Sequence, residues 1–428
     1  MEGSLLNMTR LKSVFGFDQY LSSAMSSNQF QGTDDELFKH KLGLIGEVGE
    51  LCSGIKKAKR DALTDAEASV ASEEIGDILW YLFAIAKHQK FRMSALLKSA
   101  INEVAAILRV QPLGGGDADV SFRRLTGFVN ASKSSVQMGE NEALQRAVGR
   151  AGALVSSPGA ALPALAGMLA DLALLTHSLN LDLEQVARDN VDKVRARWPG
   201  ASPSPSELFD SASDQNEQLP RTLWVRFEER KVRTVPYAFI SVNGINVGDR
   251  LTDNSHEADD YRFHDVFHLA YAACLGWSPV LRALLKRKRK SSPALDENED
   301  GARAIIIEEA ISTWMFNIGR EHLFAGVRLE KFPYSVLKQV QSLVKGYEVE
   351  ACQPWEWANA ILMGFEVFRT LKEKRGGYVV ADLNARRITY KGLQEVDELT
   401  EHKEVRRATG RRKPAKGVQP IRRRVRNT

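Results

Sequence analysis

Gly46-Glu47-Val48-Gly49-Glu50-Leu51 and, after 23 residues between Glu50 and Glu74, Glu74-Ile75-Gly76-Asp77-Ile78-Leu79 are the two stretches that decide how this chain folds. Residues three apart share a helical face, so Glu47 with Glu50, and Glu74 with Asp77, each set two carboxylates side by side. Each pair borders an apolar stripe: Leu44, Val48, Leu51 and Ile55 in the first, Ile75, Ile78, Leu79 and Leu82 in the second. That spacing is the spacing of amphipathic helices. If the two helices pack antiparallel through their stripes, four carboxylates converge, and like charges so close repel unless something neutralises them. A hard divalent cation does so. Oxygen donors suit Mg²⁺, with Mn²⁺ as the alternative. Gly46, Gly49 and Gly76 leave room near the acids. Taken singly, either pair also reads as solvated acids on a helix; the conjunction of two pairs is what favours a metal site.

Outward from this core, helical spacing runs from residue 34 to about 198, which gives an all-α first domain after an N-terminal segment, 1–33. A Pro/Ser/Asp/Gln-rich stretch, residues 199–220, reads as a linker. Beyond it the period changes to two in Leu223-Trp224-Val225-Arg226-Phe227 and in Tyr237–Val242, which is followed by the hairpin signal Asn243-Gly244. Helical spacing returns through 264–275, 303–323, 335–346 and 355–374. A second hairpin joins Gly377–Val380 to Ile388–Tyr390. The second domain, 221–395, is therefore expected to be a mainly helical α+β unit with small β-hairpins, and residues 396–428 a basic, unstructured tail. The expected fold class is mainly α overall.

The double acidic motif, Glu-x-x-Glu, a spacer, then Glu-x-x-Asp followed by the apolar run Ile78-Leu79-Trp80-Tyr81-Leu82, resembles the MazG-like all-α nucleoside triphosphate pyrophosphohydrolases over roughly residues 34–198. The resemblance implies Mg²⁺-dependent cleavage of a nucleoside triphosphate to the monophosphate and pyrophosphate, with Glu47, Glu50, Glu74 and Asp77 as metal ligands. Such an ion clamps the phosphate chain and acidifies a water. Lys56, Lys57, Lys59 and Arg60, which follow the first pair, are candidates to contact phosphates or form a solvated basic turn.

An internal echo divides the domain into an active repeat, about 34–110, and a degenerate one, about 140–198. Gly149-Arg150-Ala151-Gly152-Ala153-Leu154 repeats the first motif with Arg150 and Ala153 in place of the acids. The closing helix of the second copy carries Asn190 and Lys193, resembling the family's Asn-x-x-Lys helix, where the first copy has Asn102-Glu103. Asn190 and Lys193 are accordingly candidate substrate contacts from the second half. Their plainer reading is a cationic helix end favoured by the macrodipole. The protein could act alone as a fused pseudo-dimer or pair again as a homo-oligomer.

In the second domain His264-Asp265-Val266-Phe267-His268 sets two imidazoles at i and i+4, a spacing that can bind a metal. Glu308 or Glu309 could add a carboxylate, giving a second divalent site, with Asp265 a further option. The rival reading is structural hydrogen bonding by His264 and His268. Trp277, Trp314, Trp355 and Trp357 sit at core positions of helices.

Composition excludes collagen-like, wholly disordered and disulfide-scaffold classes: 43% of residues are hydrophobic and 26% charged, and only Cys52, Cys274 and Cys352 are cysteines. An acidic N-terminus without a long apolar run argues against an export signal, and a reducing cytoplasm fits. Gly159–Leu179, the most apolar stretch, is broken by Pro163, Asp171 and His177 and reads as a buried helix pair. The net charge of +5 hides an asymmetry: residues 401–428 hold eleven Lys/Arg against two Glu, a local +9, which leaves 5 − 9 = −4 elsewhere. That tail and the run Lys286-Arg287-Lys288-Arg289-Lys290 are candidate nucleic-acid or polyanion footprints, or else solvated charge. Besides pyrophosphohydrolysis, two alternatives follow: a nucleotide-sensing regulator whose tail docks on nucleic acid, and a metal hydrolase acting through His264, His268 and Glu308.

Overall fold

Leu44, Val48, Leu51 and Ile55 become core because α2 (Glu36–Arg60) lays them against Ile75, Ile78, Leu79 and Leu82 of α3 (Thr64–His88), all buried. Each such side chain contributes about 1.5–3 kcal/mol of burial. The computed structural model describes residues 14–61, 64–112, 119–132, 138–199 and 203–392, and the chain divides into two units between Trp198 and Pro199. The basic tail expected at 396–428 lies outside the described residues.

The first unit is all helical. Besides α2 and α3 it holds α1 (Phe17–Met25), α4 (Met93–Leu108), α5 (Phe122–Ala131), α6 (Glu140–Ser156), α7 (Leu162–Ser178) and α8 (Leu183–Arg197). The packing is reciprocal between α1–α4 and α5–α8: α4 lies on α7 as α8 lies on α3, α1 on α8 as α5 on α4, and α2 meets α6. At the starts of α1 and α5 the exchange is explicit, with Phe17 N–H donating to the Val120 carbonyl (2.9 Å) and Phe122 N–H to the Phe15 carbonyl (3.4 Å).

The N-terminal stretch expected to stand apart, 1–33, contributes α1 to this core. Phe15, Phe17 and Tyr20 are buried in an aromatic cluster with Phe83 and Phe122, the Phe17 and Phe122 rings 4.6 Å apart. The apolar 159–179 stretch is one helix, α7, buried from Leu165 to Thr176, rather than a pair. No single helix among the described residues is long and apolar enough to cross a membrane; only α7 and α8 taken together, bent by 105°, reach that length and composition.

The second unit sets helices against one sheet. Its strands are β1 (Thr222–Val232), β2 (Val235–Val242), β3 (Ile245–Asn246), β4 (Gly376–Asp382) and β5 (Arg387–Lys391), in the antiparallel order β3-β2-β1-β4-β5. The two hairpins read from sequence are thus halves of a single sheet, joined where β1 pairs with β4. Leu223, Val225 and Phe227 alternate inward, as period two requires. Asn243 and Gly244, at φ 52° and 78°, make the turn between β2 and β3. On the sheet pack α9 (Asp265–Leu275) and α14 (Pro354–Lys374), joined by α10 (Pro279–Leu284), α11 (Pro293–Asn298), α12 (Ala302–Gly319) and α13 (Tyr334–Leu343). Trp277 and Trp357 lie fully within this core.

Residues 206–221, read as linker for their polar composition, belong to this unit, because their polar groups are buried with partners. Asp210 is 1% exposed and takes Leu219 N–H (2.7 Å), Arg221 (2.8 Å) and Arg282 (2.8 Å). Burial works to raise its pKa, but Leu219 N–H and the two guanidinium groups hold it below the usual carboxylate range. The basic run at 286–290 is equally structural in part: Arg289 is buried between Asp300 (2.8 Å) and Glu348 (2.7 Å). Removing one member of such a buried network leaves an uncompensated charge. Asp210→Ala is expected to cost the second unit about 3–5 kcal/mol in urea unfolding, far more than an exposed Asp→Ala control.

Candidate active site

α2 carries Glu47 and Glu50, and α3 carries Glu74, so that one oxygen from each lies within 4.8 Å of the others. Glu74 is 8% exposed, Glu47 half-buried and Glu50 open to solvent. Burial, then the charges of Asp77, Glu74 and Glu50, push the Glu47 carboxyl up to about 8, against the pull of Lys193. Three acids gathered so closely are a donor set short of positive charge, and an all-oxygen set fits a hard dication.

Asp77 is placed differently from the other three. It accepts Asn190 Nδ2 (2.8 Å) and pairs with Lys193 Nζ, which also pairs with Glu73 (2.9 Å). Burial opposes the charge on Lys193, but Asp77 and Glu73 outweigh it and raise its pKa. Tyr20, fully buried, donates to Asn190 Oδ1 (2.9 Å), so a chain of hydrogen bonds runs from α1 through α8 to Asp77. Gly76 lets α8 come this close, because a Cβ there would lie 3.0 Å from Asn190 Cβ. Gly46 and Gly49, expected to make room, face open space. Tyr20 and Glu73 carry no signal in the sequence, and Tyr81 figures there only as part of an apolar run. Tyr81 is driven up to about 12 by burial and by the charges of Glu47 and Asp77. A lone tyrosine or a neighbouring glutamate carries no pattern from which such roles could be read.

An open cleft of about 470 Å³ adjoins the acids, lined by Glu50, Ser53, Lys57, Asp61, Val70 and Glu74 among others. Of the candidate lysines Lys57 lines it. Lys59 instead pairs with Glu140 (2.6 Å) and donates to Asn141 (3.3 Å) on α6, Lys56 is exposed outside the lining, and Arg60 pairs with Asp61 (2.7 Å). In the other half, buried Asp171 of α7 pairs with Arg150 (2.7 Å) and Arg146 (3.0 Å) of α6, and Arg150 also reaches Glu103 (3.4 Å). A guanidinium thus lies between the α6 and α7 helices.

In the second unit His264, His268 and Glu309 bring one donor atom each within 4.8 Å of the others. Glu308 does not join them, since its carboxylate is taken by His268, Ser278 and Val280.

Two family models match the chain: the MazG nucleotide pyrophosphohydrolase domain at residues 38–106 and the MazG C-terminal domain at 204–394. The protein therefore carries a MazG nucleotide pyrophosphohydrolase domain, all-α as its helices show, followed by a MazG C-terminal domain. The Gene 37 protein of Mycobacterium phage L5 is 29% identical over 66 residues, 15% of this chain and 58% of that relative, so the chain spans a little over half of its length. No solved structure matches. The first match ends within α4, so Asn190 and Lys193 come from outside it.

Like-charge crowding gives a stability signature. A carboxyl raised from 4.5 to about 8 in the folded protein binds more protons folded than unfolded, so its contribution to stability falls as pH rises between those values and is constant above. In EDTA, Glu47→Gln is expected to raise Tm by a few degrees above pH 8, an advantage that shrinks toward pH 5; equal Tm values across that range would contradict it.

Proposed function

We propose that the first unit hydrolyses a nucleoside or deoxynucleoside triphosphate to the monophosphate and pyrophosphate, with Mg²⁺, or Mn²⁺ in its place, at Glu47, Glu50 and Glu74. What carries the reading is the convergence of those three carboxylates, within 4.8 Å, at the edge of an open cleft that Lys57 also lines. A hard dication held there supplies charge to the triphosphate and acidifies water.

The remaining tasks fall to this chain's own side chains. Lys57 contributes a mobile ammonium to the phosphate chain. Asp77 completes the anionic wall of the site, and Asn190 and Lys193 act as positioning residues: they fix the Asp77 carboxylate and offset its charge. Their role as direct substrate contacts gives way to this one, because both already point at Asp77. The second half of the unit is proposed to be a degenerate copy that has exchanged metal binding for the Arg150–Asp171 pair.

The test is pyrophosphate release from a panel of NTPs and dNTPs with Mg²⁺. Wild type is expected to turn over at least one of them, and Glu74→Gln to lose at least about a hundredfold, some 3 kcal/mol of transition-state stabilisation. No release from any triphosphate, or full release by Glu74→Gln, would overturn the assignment.

A further inference from the structure

The hydrogen bonds around His264 and His268 fix both rings in the same sense. His264, at the start of α9, sets Nδ1 3.0 Å from the Tyr261 carbonyl and stacks on the Tyr261 ring, centroids 4.3 Å apart and planes 3° apart. A carbonyl only accepts, so His264 Nδ1 carries the proton. His268 sets Nδ1 2.8 Å from Glu308 Oε1. Nε2 of both rings is left to face Glu309 on α12. His268 Nε2 is buried and makes no well-formed hydrogen bond, only a long ion-pair contact with α12.

Glu308 cannot be what meets it. Fully buried, it takes Ser278 Oγ (2.6 Å) and His268 Nδ1 on Oε1, and Val280 N–H (2.8 Å) on Oε2. Glu309, next along α12, turns toward the imidazoles instead: Oε1 lies 3.5 Å from His268 Nε2 and Oε2 3.9 Å from His264 Nε2. Two donors at about 2.1 Å from one ion, at a tetrahedral angle, are about 3.4 Å apart. The Glu309 side chain, 41% exposed, is free to adjust toward that spacing, and the three donor atoms already lie within 4.8 Å of one another.

We propose that His264 Nε2, His268 Nε2 and the Glu309 carboxylate bind one first-row transition dication of the Zn²⁺ type, and that Glu308 is the positioning residue that orients His268. Two imidazole nitrogens and one carboxylate disfavour Mg²⁺, so this centre differs in chemistry from the acidic site. A carboxylate that holds the remote nitrogen of a ligand histidine is the usual support of such a metal. Three protein ligands with solvent on the Glu309 side leave a coordination position for water, the form of a catalytic site rather than a closed structural one. Asp265 Oδ1, 3.8 Å from His264 Nε2, flanks the same ring. The competing arrangement is a protonated His268 paired with Glu309 and no metal.

The test uses the full chain with Glu47→Gln and Glu74→Gln, so that the acidic cluster does not compete and the outcome is independent of pyrophosphohydrolase activity. After chelation it is titrated with Co²⁺ and, separately, Zn²⁺. One equivalent of Co²⁺ retained through desalting, with the visible absorption of nitrogen-ligated cobalt, is expected; His264→Ala should abolish it. Glu308→Gln should weaken affinity roughly 10–100-fold at unchanged stoichiometry. Zn²⁺ should raise Tm in the His264-containing protein and leave His264→Ala where it was. Should His264→Ala not fold, Glu309→Gln and the cobalt spectrum decide. No retained Co²⁺, a spectrum without nitrogen ligation, or binding indifferent to both substitutions would overturn the site and leave the His268–Glu309 ion pair.

Discussion

Four apolar side chains on α2 and four on α3 force Glu47, Glu50 and Glu74 within 4.8 Å of one another. Two ionised carboxylates about 4 Å apart repel by about 4 kcal/mol at an effective dielectric of 20, whereas each buried Leu or Ile contributes about 1.5–3 kcal/mol. Burial over eight positions holds the hairpin closed against that repulsion, and desolvation together with the neighbouring charges appears as the raised proton affinity of Glu47. Packing thus creates a site that prefers a cation. The same stripe that makes the fold makes the chemistry, so a substitution at Val48 or Ile78 would loosen the ligand set without touching an acid.

The two halves of the first unit answer the same geometric problem in opposite ways. Between α2 and α3, carboxylates face one another beside a cleft; between α6 and α7, Arg150 and Arg146 neutralise Asp171. Arg150 lies so close to Gly167 that a Cβ there would overlap its guanidinium, which fills the space between those helices with protein charge. Only the second arrangement carries its own cations within the helix pair. The second half nonetheless serves the first, because α8 delivers Asn190 and Lys193 to Asp77.

Much of this was legible in the sequence. The acids and their stripes show at helical spacing, and the helices of the second unit announce themselves by the same period. The partners of Asp77 were legible as residues but not as partners, since an Asn-x-x-Lys helix says nothing of which carboxylate it will meet 113–116 positions away. The linker reading failed for a physical reason: Asp210, Glu217 and Ser206 look solvated in a list, yet they accept or donate inside the second unit. Composition reports polarity, and only packing reports whether a polar group has a partner. Arg289 misled in the same way, as the fourth member of a basic run whose side chain is nevertheless buried.

Two adjacent glutamates pose the sharpest form of that limit. Successive residues on an α-helix point about 100° apart, so in Glu73-Glu74 and Glu308-Glu309 only one member of each pair can face a given centre. Glu74 joins the acidic cluster while Glu73 pairs with Lys193; Glu309 joins the histidines while Glu308 locks His268 and the start of α10. Which member faces inward depends on the rotation of α3 or α12 about its own axis, and that rotation is set by the whole apolar face, not by the two acids. In each pair one carboxylate pairs with the scaffold, Glu73 with Lys193 and Glu308 with His268, while its neighbour joins the cluster on the facing helix. The division also shows why the two clusters differ: α3 sets Glu74 against carboxylates of α2, whereas α12 sets Glu309 against imidazoles of α9. The facing helix thus sets the donor chemistry, all oxygen in one unit and nitrogen with oxygen in the other, which is what separates the two proposed sites.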